Sequence, residues 1–553
     1  MAAFDLVRFR GVAFGGGLPD HPLQDEEAVR DALAGLAADP AAALAELTGW
    51  AASINTTAGF SPGRRARVAM LLDDAARARW RALGERYLAP GGRPSEGRDG
   101  EPAILRALFD SASEFANSYG TAIDESRERP GWVVENLPQV ALRNMRWLAR
   151  RLALAHMLRL PVTGAVWERL HRLYGIAREA GVERTMLPVF AGDKVMSSVN
   201  QEYVRLLLLE IADPRALSGR DIELVFRITA RKATHVRLEP APLAGAVYAV
   251  LPWRDSRPVT VASLGKPHAD ALYIDTSSCL PPLRTLLDRD ADADAADRDT
   301  LYGPEYTVRE RRAMLRRLLD LWGPQPPQRR KRRVRLASPA RVLSGFEQIA
   351  KLVPALEPEV EKRARPARTP LRLQLDNTGN DQNRRTRSAA ARLENARLID
   401  ASTGGLGIAV SAPQLPWARI GTLVGVYVEP GPDWVVGVLR RIYAVDRELR
   451  LGVQVLAHRP RLVRLRGRQA GRAGAWEEER RLEHDFDELF QRALLTESAG
   501  VPLRAGALLL PPRLARRGDQ YDVPLADGDQ PIRVTAVLED GESYQRVTFE
   551  AAG

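Results

Sequence analysis

The chain has 553 residues, 45% of them hydrophobic and 27% charged, and a formal net charge of +11. That length exceeds a single core, so several domains are expected, and no apolar run approaches the ~20 residues of a membrane span. Cys279 is the only cysteine, which excludes an intrachain disulfide and a multi-cysteine metal site and makes the cytoplasm the expected compartment. Residues 1 to about 60 are weakly patterned. The opening MAAFDLVRFRGVAFGGG lacks the sustained apolar segment of a signal peptide, and the glycines of Phe14–Gly17 follow no phosphate-binding spacing.

From about 62 to 235 the hydrophobic period is helical. In VALRNMRWLARRLALAHMLRL, for example, Val140, Leu142, Met145, Leu148, Leu152 and Met157 recur at helical spacing. Further helices are predicted over 62–88, 102–125, 163–180, 197–212 and 219–232, punctuated by Pro and Gly. They suggest a solenoid-like helical interaction domain over 1–235 without a strict repeat. Residues 236–328 form a mixed α/β connecting region. It holds strand-like GAVYAVLPW, VTVASL and ALYIDTSSCL, a helix over about 307–322, and the acidic run LLDRDADADAADRD. That run fails as a calcium loop. Counted from Asp288, position 6 is Ala293 rather than Gly, and position 12 is Asp299 rather than Glu.

Pro324, Pro326 and Pro327 close that helix, and the arginine run Arg329-Arg330-Lys331-Arg332-Arg333 follows. Residues 353–395 are rich in Arg, Pro, Asn and Glu and read as a disordered insertion. From 396 to 457 short strands follow one another, the pattern of a small antiparallel β-barrel. Residues 470–494 look helical, and the last fifty return to strands. The fold class expected is therefore multidomain: a mainly α-helical N-terminal half, a β-barrel over 329–466, and a C-terminal helix plus β-strand extension over 467–553.

One stretch of the barrel carries chemistry. In LIDASTGGLGIAV, two strands flank a turn, and Asp400 and Ser402 lie two apart, so they share a face beside Gly404-Gly405. An Asx-type turn bonding its own backbone is the plain alternative. The order Arg329-x-x-x-Arg333, then Asp400-x-Ser402-x-x-Gly405, then Trp434-Val-Val-Gly437 and Leu451-Gly452-Val453, resembles the PilZ family of β-barrels. The likeness covers roughly 329–457. The 353–395 insertion roughly doubles the family's usual gap between the two motifs, and the rival cluster Arg384–Arg387 sits closer to the turn without the four-residue spacing.

The resemblance implies a cyclic di-GMP receptor bound through Arg329, Arg333, Asp400, Ser402 and Gly405, with Arg330 and Arg332 as helpers. Arginine matches the guanine N7/O6 edge and phosphate bidentately, the Asp400 carboxylate accepts from guanine N–H groups, and Gly405 supplies a left-handed backbone or a close ligand approach. The helical region would relay the signal to a protein partner. A fragment of about 325–470 is expected to fold alone and to bind. The other readings are a PilZ-like adaptor that does not bind nucleotide and an arginine-rich nucleic-acid-binding protein. The runs at 329–335 and 363–397 lack the aromatics that single-strand binding wants. No Gly-x-Ser-x-Gly, His-Glu-x-x-His or Walker motif is present, so no enzyme, cofactor or metal is expected. His484-Asp485-x-Asp487 reads as helix-surface charge, and Trp434 as barrel packing.

Overall fold

A computed structural model describes residues 21–89, 100–254, 256–290, 302–327, 333–353, 393–411, 415–428, 434–468, 490–498, 503–525 and 528–552. The chain divides into two compact units, Met1–Gln328 and Arg329–Gly553.

The first unit opens with α1 (Glu26–Ala34), α2 (Pro40–Thr56), α3 (Pro62–Leu88) and α4 (Gly100–Ser126). Asp25 caps α1, Asp39 caps α2, and Ser61 caps α3, the last two followed by proline at the first helical position. After α5 (Trp132–Glu135) come α6 (Leu137–Met157) and α7 (Gly164–Glu179). A two-stranded pair, β1 (Leu187–Pro188) and β2 (Met196–Ser197), leads into α8 (Val199–Ile211) and α9 (Gly219–Lys232). α4 packs against α2, α3 and α6, and α6 packs in turn against α7, α8 and α9. The side chains that set the α6 period, including Val140, Met145 and Leu152, are buried in this core.

Residues 236–328 fall within the first unit. β3 (Arg237–Glu239), β4 (Tyr248–Val250), β5 (Val259–Thr260) and β6 (Leu272–Asp275) form an antiparallel sheet in the order β3-β6-β4-β5. With α10 (Leu280–Arg289) and α11 (Val308–Trp322) they share the helical core, through Leu238, Ile274, Leu283, Leu318 and Trp322 among others. A capping box of Thr307 and Glu310 starts α11. Asp290, the described end of the acidic run, is buried and accepts from Arg311 at 3.1 and 3.4 Å; 291–301 lie outside the described residues. Among the described residues no helix is long and apolar enough to cross a membrane, and no cluster of His, Cys, Asp and Glu is placed to hold a metal.

Asp73 of α3 is fully buried, with the Tyr119 hydroxyl donating to it at 2.8 Å and Arg143 of α6 at 3.4 Å. Burial pushes its carboxyl up to about 6, against the pull of Arg143. The folded state therefore holds a proton that the unfolded chain releases near pH 4. The resulting stability is complete below about pH 4 and is lost as the pH rises through about 6. Relative to Asp73→Asn, the natural protein should lose up to about 3 kcal/mol between pH 4 and 7. Urea unfolding at the two pH values checks this, and identical pH dependences would contradict it.

The second unit holds two closed six-stranded antiparallel barrels. The first comprises β7 (Val334–Ser344), β8 (Glu394–Ser402), β9 (Gly405–Val410), β10 (Leu423–Val428), β11 (Trp434–Val445) and β12 (Glu448–His458), in the order β10-β11-β12-β9-β8-β7. A short α12 (Phe346–Leu352) follows β7. The proposed insertion is narrower than 353–395: Val353 is buried and β8 begins at Glu394, while 354–392, with Arg384–Arg387, lie outside the described residues.

The second barrel replaces the expected helix-plus-strand extension. It is built from β13 (Arg461–Gly467), β14 (Gln491–Ser498), β15 (Ala505–Leu510), β16 (Gln520–Leu525), β17 (Gly528–Asp540) and β18 (Gln545–Ala551). β13, assigned from the sequence to the first barrel, pairs with β14 and β16. The end of the expected 470–494 helix is strand, and 469–489, with His484-Asp485-x-Asp487, lie outside the described residues.

A shared apolar cluster joins the barrels. Phe346 and Ile349 of α12 pack with Leu423, Val436 and Val438 of one barrel and Leu494, Leu509 and Tyr544 of the other. Arg440 donates to both Glu539 oxygens at 3.0 and 2.9 Å, and the Leu423 amide donates to Ser543 Oγ at 3.0 Å.

Candidate functional site on the first barrel

β8 and β9 form a hairpin across Thr403-Gly404, and Ser402 stands opposite Gly405, Ala401 opposite Leu406, and Asp400 opposite Gly407. Leu406, Ile408 and Val410 fill the barrel core. The strand period of two therefore turns Gly405 and Gly407 to the outer face, together with their partners Ser402 and Asp400.

Asp400 lies across Gly407. A Cβ there would stand 2.5 Å from Asp400 Oδ1 and 2.9 Å from its Cγ, so only glycine leaves room for the carboxylate. A Cβ at Gly405 would stand 3.1 Å from the Val453 carbonyl oxygen and 3.4 Å from an Arg333 nitrogen. The expected left-handed backbone at Gly405 is not found: it is absent from the positive-φ glycines. What glycine permits there is the close approach of the Val453 carbonyl and the Arg333 guanidinium. Ser402 Oγ donates to the Gly405 carbonyl at 3.3 Å, so the turn satisfies part of its own backbone.

Arg333 stands just before β7 and donates through Nη1 to Asp400 Oδ1 at 2.5 Å, across 67 residues of sequence. The structure thus brings Arg333 beside Asp400, Ser402 and Gly405. Arg329, Arg330 and Arg332 lie outside the described residues. Both members of the ion pair keep about a quarter of their side-chain surface in solvent. Such a pair is worth about 1 kcal/mol or less, so an incoming group can repartner it at little cost.

Four residues near the site were not assigned to it from sequence. Gly407 faces Gly452 of β12, and Gly452 faces Arg441 of β11. On the other side, Asp400 faces the exposed Arg335 of β7. The row Arg335, Asp400, Gly407, Gly452, Arg441 crosses five adjacent strands, about 19 Å at the usual strand spacing. It has a carboxylate near one end, a side-chain-free floor in the middle and a guanidinium at each end. This arrangement suits a flat anionic ligand: arginines for phosphate or a purine edge, Asp400 for N–H donors, and glycines for close approach. The signal was available. A two-residue turn fixes Ser402 opposite Gly405, and that register puts Asp400 on Gly407.

The fold defines a two-unit protein, helical then double-barrelled, and the first barrel carries the small polar cluster around Asp400. Residues 27–242, in the helical unit, match the family model described as the N-terminal domain of the cyclic-di-GMP receptor FimW, over less than half of the chain. No curated protein matches the chain.

Proposed function

We propose that this chain is a non-enzymatic cyclic di-GMP receptor. Its PilZ-like first barrel binds the dinucleotide through Arg333, Asp400, Ser402 and Gly405, with Arg329 and its neighbours Arg330 and Arg332 closing over the ligand. The observation that carries this reading is the Arg333–Asp400 pair seated on Gly407. The matched family's description as a cyclic-di-GMP receptor supports the ligand.

On binding, each member of the pair exchanges one partner for another. Arg333 moves to a phosphate or to the N7/O6 edge of guanine, and Asp400 accepts from guanine N1–H and its amine. Neither charge is left unpaired, which keeps the desolvation cost low. The arginine arm, preceded by Pro326 and Pro327, folds onto the ligand, and the helical unit passes this ordering to a protein partner in the cytoplasm.

Limited trypsin digestion tests the clamp. Cleavage after Arg329 to Arg335 should fall at least several-fold when cyclic di-GMP saturates the protein. Equal cutting with and without the dinucleotide would remove the arm from the site.

A further inference from the structure

The helical unit contains a cavity of about 350 Å3 between α3, α4, α6 and α9, remote in sequence from the barrel site. Five arginines line it, against two carboxylates, Glu85 and Glu223. Its walls are aromatic: Trp80 and Trp147 meet edge to face with ring centroids 5.8 Å apart, and Phe190 closes another side.

Most of these arginines are anchored from behind. Arg146 donates to Glu202 at 2.5 Å and Arg150 to Glu223 at 2.7 Å. Arg227 pairs with Glu223 at 3.1 Å and Glu305 at 2.7 Å. Burial pushes the Glu223 carboxyl up, but the Arg150 and Arg227 guanidiniums outweigh it and hold it below the usual carboxylate range, so the anchor is ionised. The Arg150 guanidinium lies over Trp80, 5.1 Å from the ring centroid, and Arg77 over Phe190 at 4.9 Å. Each guanidinium has five N–H donors, and these anchors use only some of them. Arg81, by contrast, is exposed on the rim and pairs with no described carboxylate.

Gly84 is a second, independent sign. It lies in the interior of α3, where glycine is the least favourable residue short of proline. A Cβ there would meet nothing within 4 Å, so no packing demands glycine. What its missing side chain leaves open is the cavity it lines.

We infer that this cavity is a binding site for a nucleoside monophosphate. The guanidiniums offer bidentate donors to phosphate, and the indole and guanidinium planes offer faces on which a base stacks. Glu85, one turn along α3 from Arg81, accepts from a base amine. The volume lies at the small end of the roughly 300–1,000 Å3 span of ligand sites, with room for one base and its phosphate rather than a cyclic dinucleotide.

Calorimetric titration of GMP into the full chain carrying Asp400→Ala tests the inference with the barrel site disabled. GMP should bind saturably, and guanosine and inorganic phosphate at least tenfold more weakly. Gly84→Leu, which fills the cavity, and Arg81→Glu should each weaken GMP at least tenfold. Gly84→Leu should melt no lower than its parent, so that its loss of binding is not loss of fold. The inference is overturned if GMP does not bind, or binds the Gly84→Leu protein equally well. It is also overturned if cyclic di-GMP rather than GMP occupies the Asp400→Ala protein and is lost with Gly84→Leu.

Discussion

Asp400→Ala should weaken cyclic di-GMP binding by at least five- to two-hundred-fold, the equivalent of about 1–3 kcal/mol. The expected loss is large because removing the carboxylate strands guanine N–H donors in the bound complex. Arg333→Ala should cost a similar factor. Gly407→Val gives the most specific result. Its side chain would occupy the space of the Asp400 carboxylate, so affinity should fall as far as in Asp400→Ala, although no ligand-contacting group has been deleted. Arg387→Ala, in the rival arginine cluster, should change little. A nucleic-acid binder would behave oppositely: every arginine would contribute a similar small amount, the loss of Asp400 would help slightly, and affinity would fall steeply with salt. Calorimetric titration of the four variants separates these outcomes.

The second large effect concerns the barrels. A fragment ending near residue 470 was expected from sequence to fold and bind alone. The shared cluster predicts a different boundary, because such a fragment loses Leu494, Leu509 and Tyr544 and exposes Phe346, Leu423, Val436 and Val438. It should lack a cooperative melt and should aggregate, whereas residues 329–553 should melt cooperatively. In the full chain, Phe346→Ala should destabilise the second unit by about 3–5 kcal/mol, as buried phenylalanine truncations do. Thermal melts by circular dichroism measure both. A well-folded 329–470 fragment would show the cluster to be dispensable.

How far the sequence could be read followed the range of the interactions. α3 and α9 were legible because each has a polar face and a buried face, and their limits match 62–88 and 219–232; α8 falls within two residues of 197–212 although it is buried nearly all round, and α6 lies three residues N-terminal to the periodic stretch 140–160. α2 was not, because PAAALAELTGWAASINT is nearly apolar all round and has no clear period; its legible sign was the Asp39-Pro40 cap. The second barrel was hidden for a different reason. β14, QRALLTES, is built of residues equally at home in a helix and follows the charged stretch AWEEERRLEHDFDELF. Only pairing with β13 and β15 makes it a strand. The same logic holds in the site. Asp400, Ser402 and Gly405 were legible because one turn fixes them. Arg333 reaches them across 67 residues, a contact no local pattern encodes, and it was found only through the family's motif order.

If the barrel unit holds the dinucleotide, it should do so without the helical unit. The most direct test is calorimetric titration of cyclic di-GMP into a fragment spanning 329–553, beside the full chain. Both should bind saturably with dissociation constants within about threefold, and the fragment carrying Asp400→Ala should lose that binding. Binding by the full chain that the folded fragment does not reproduce would contradict a site held by the barrel unit.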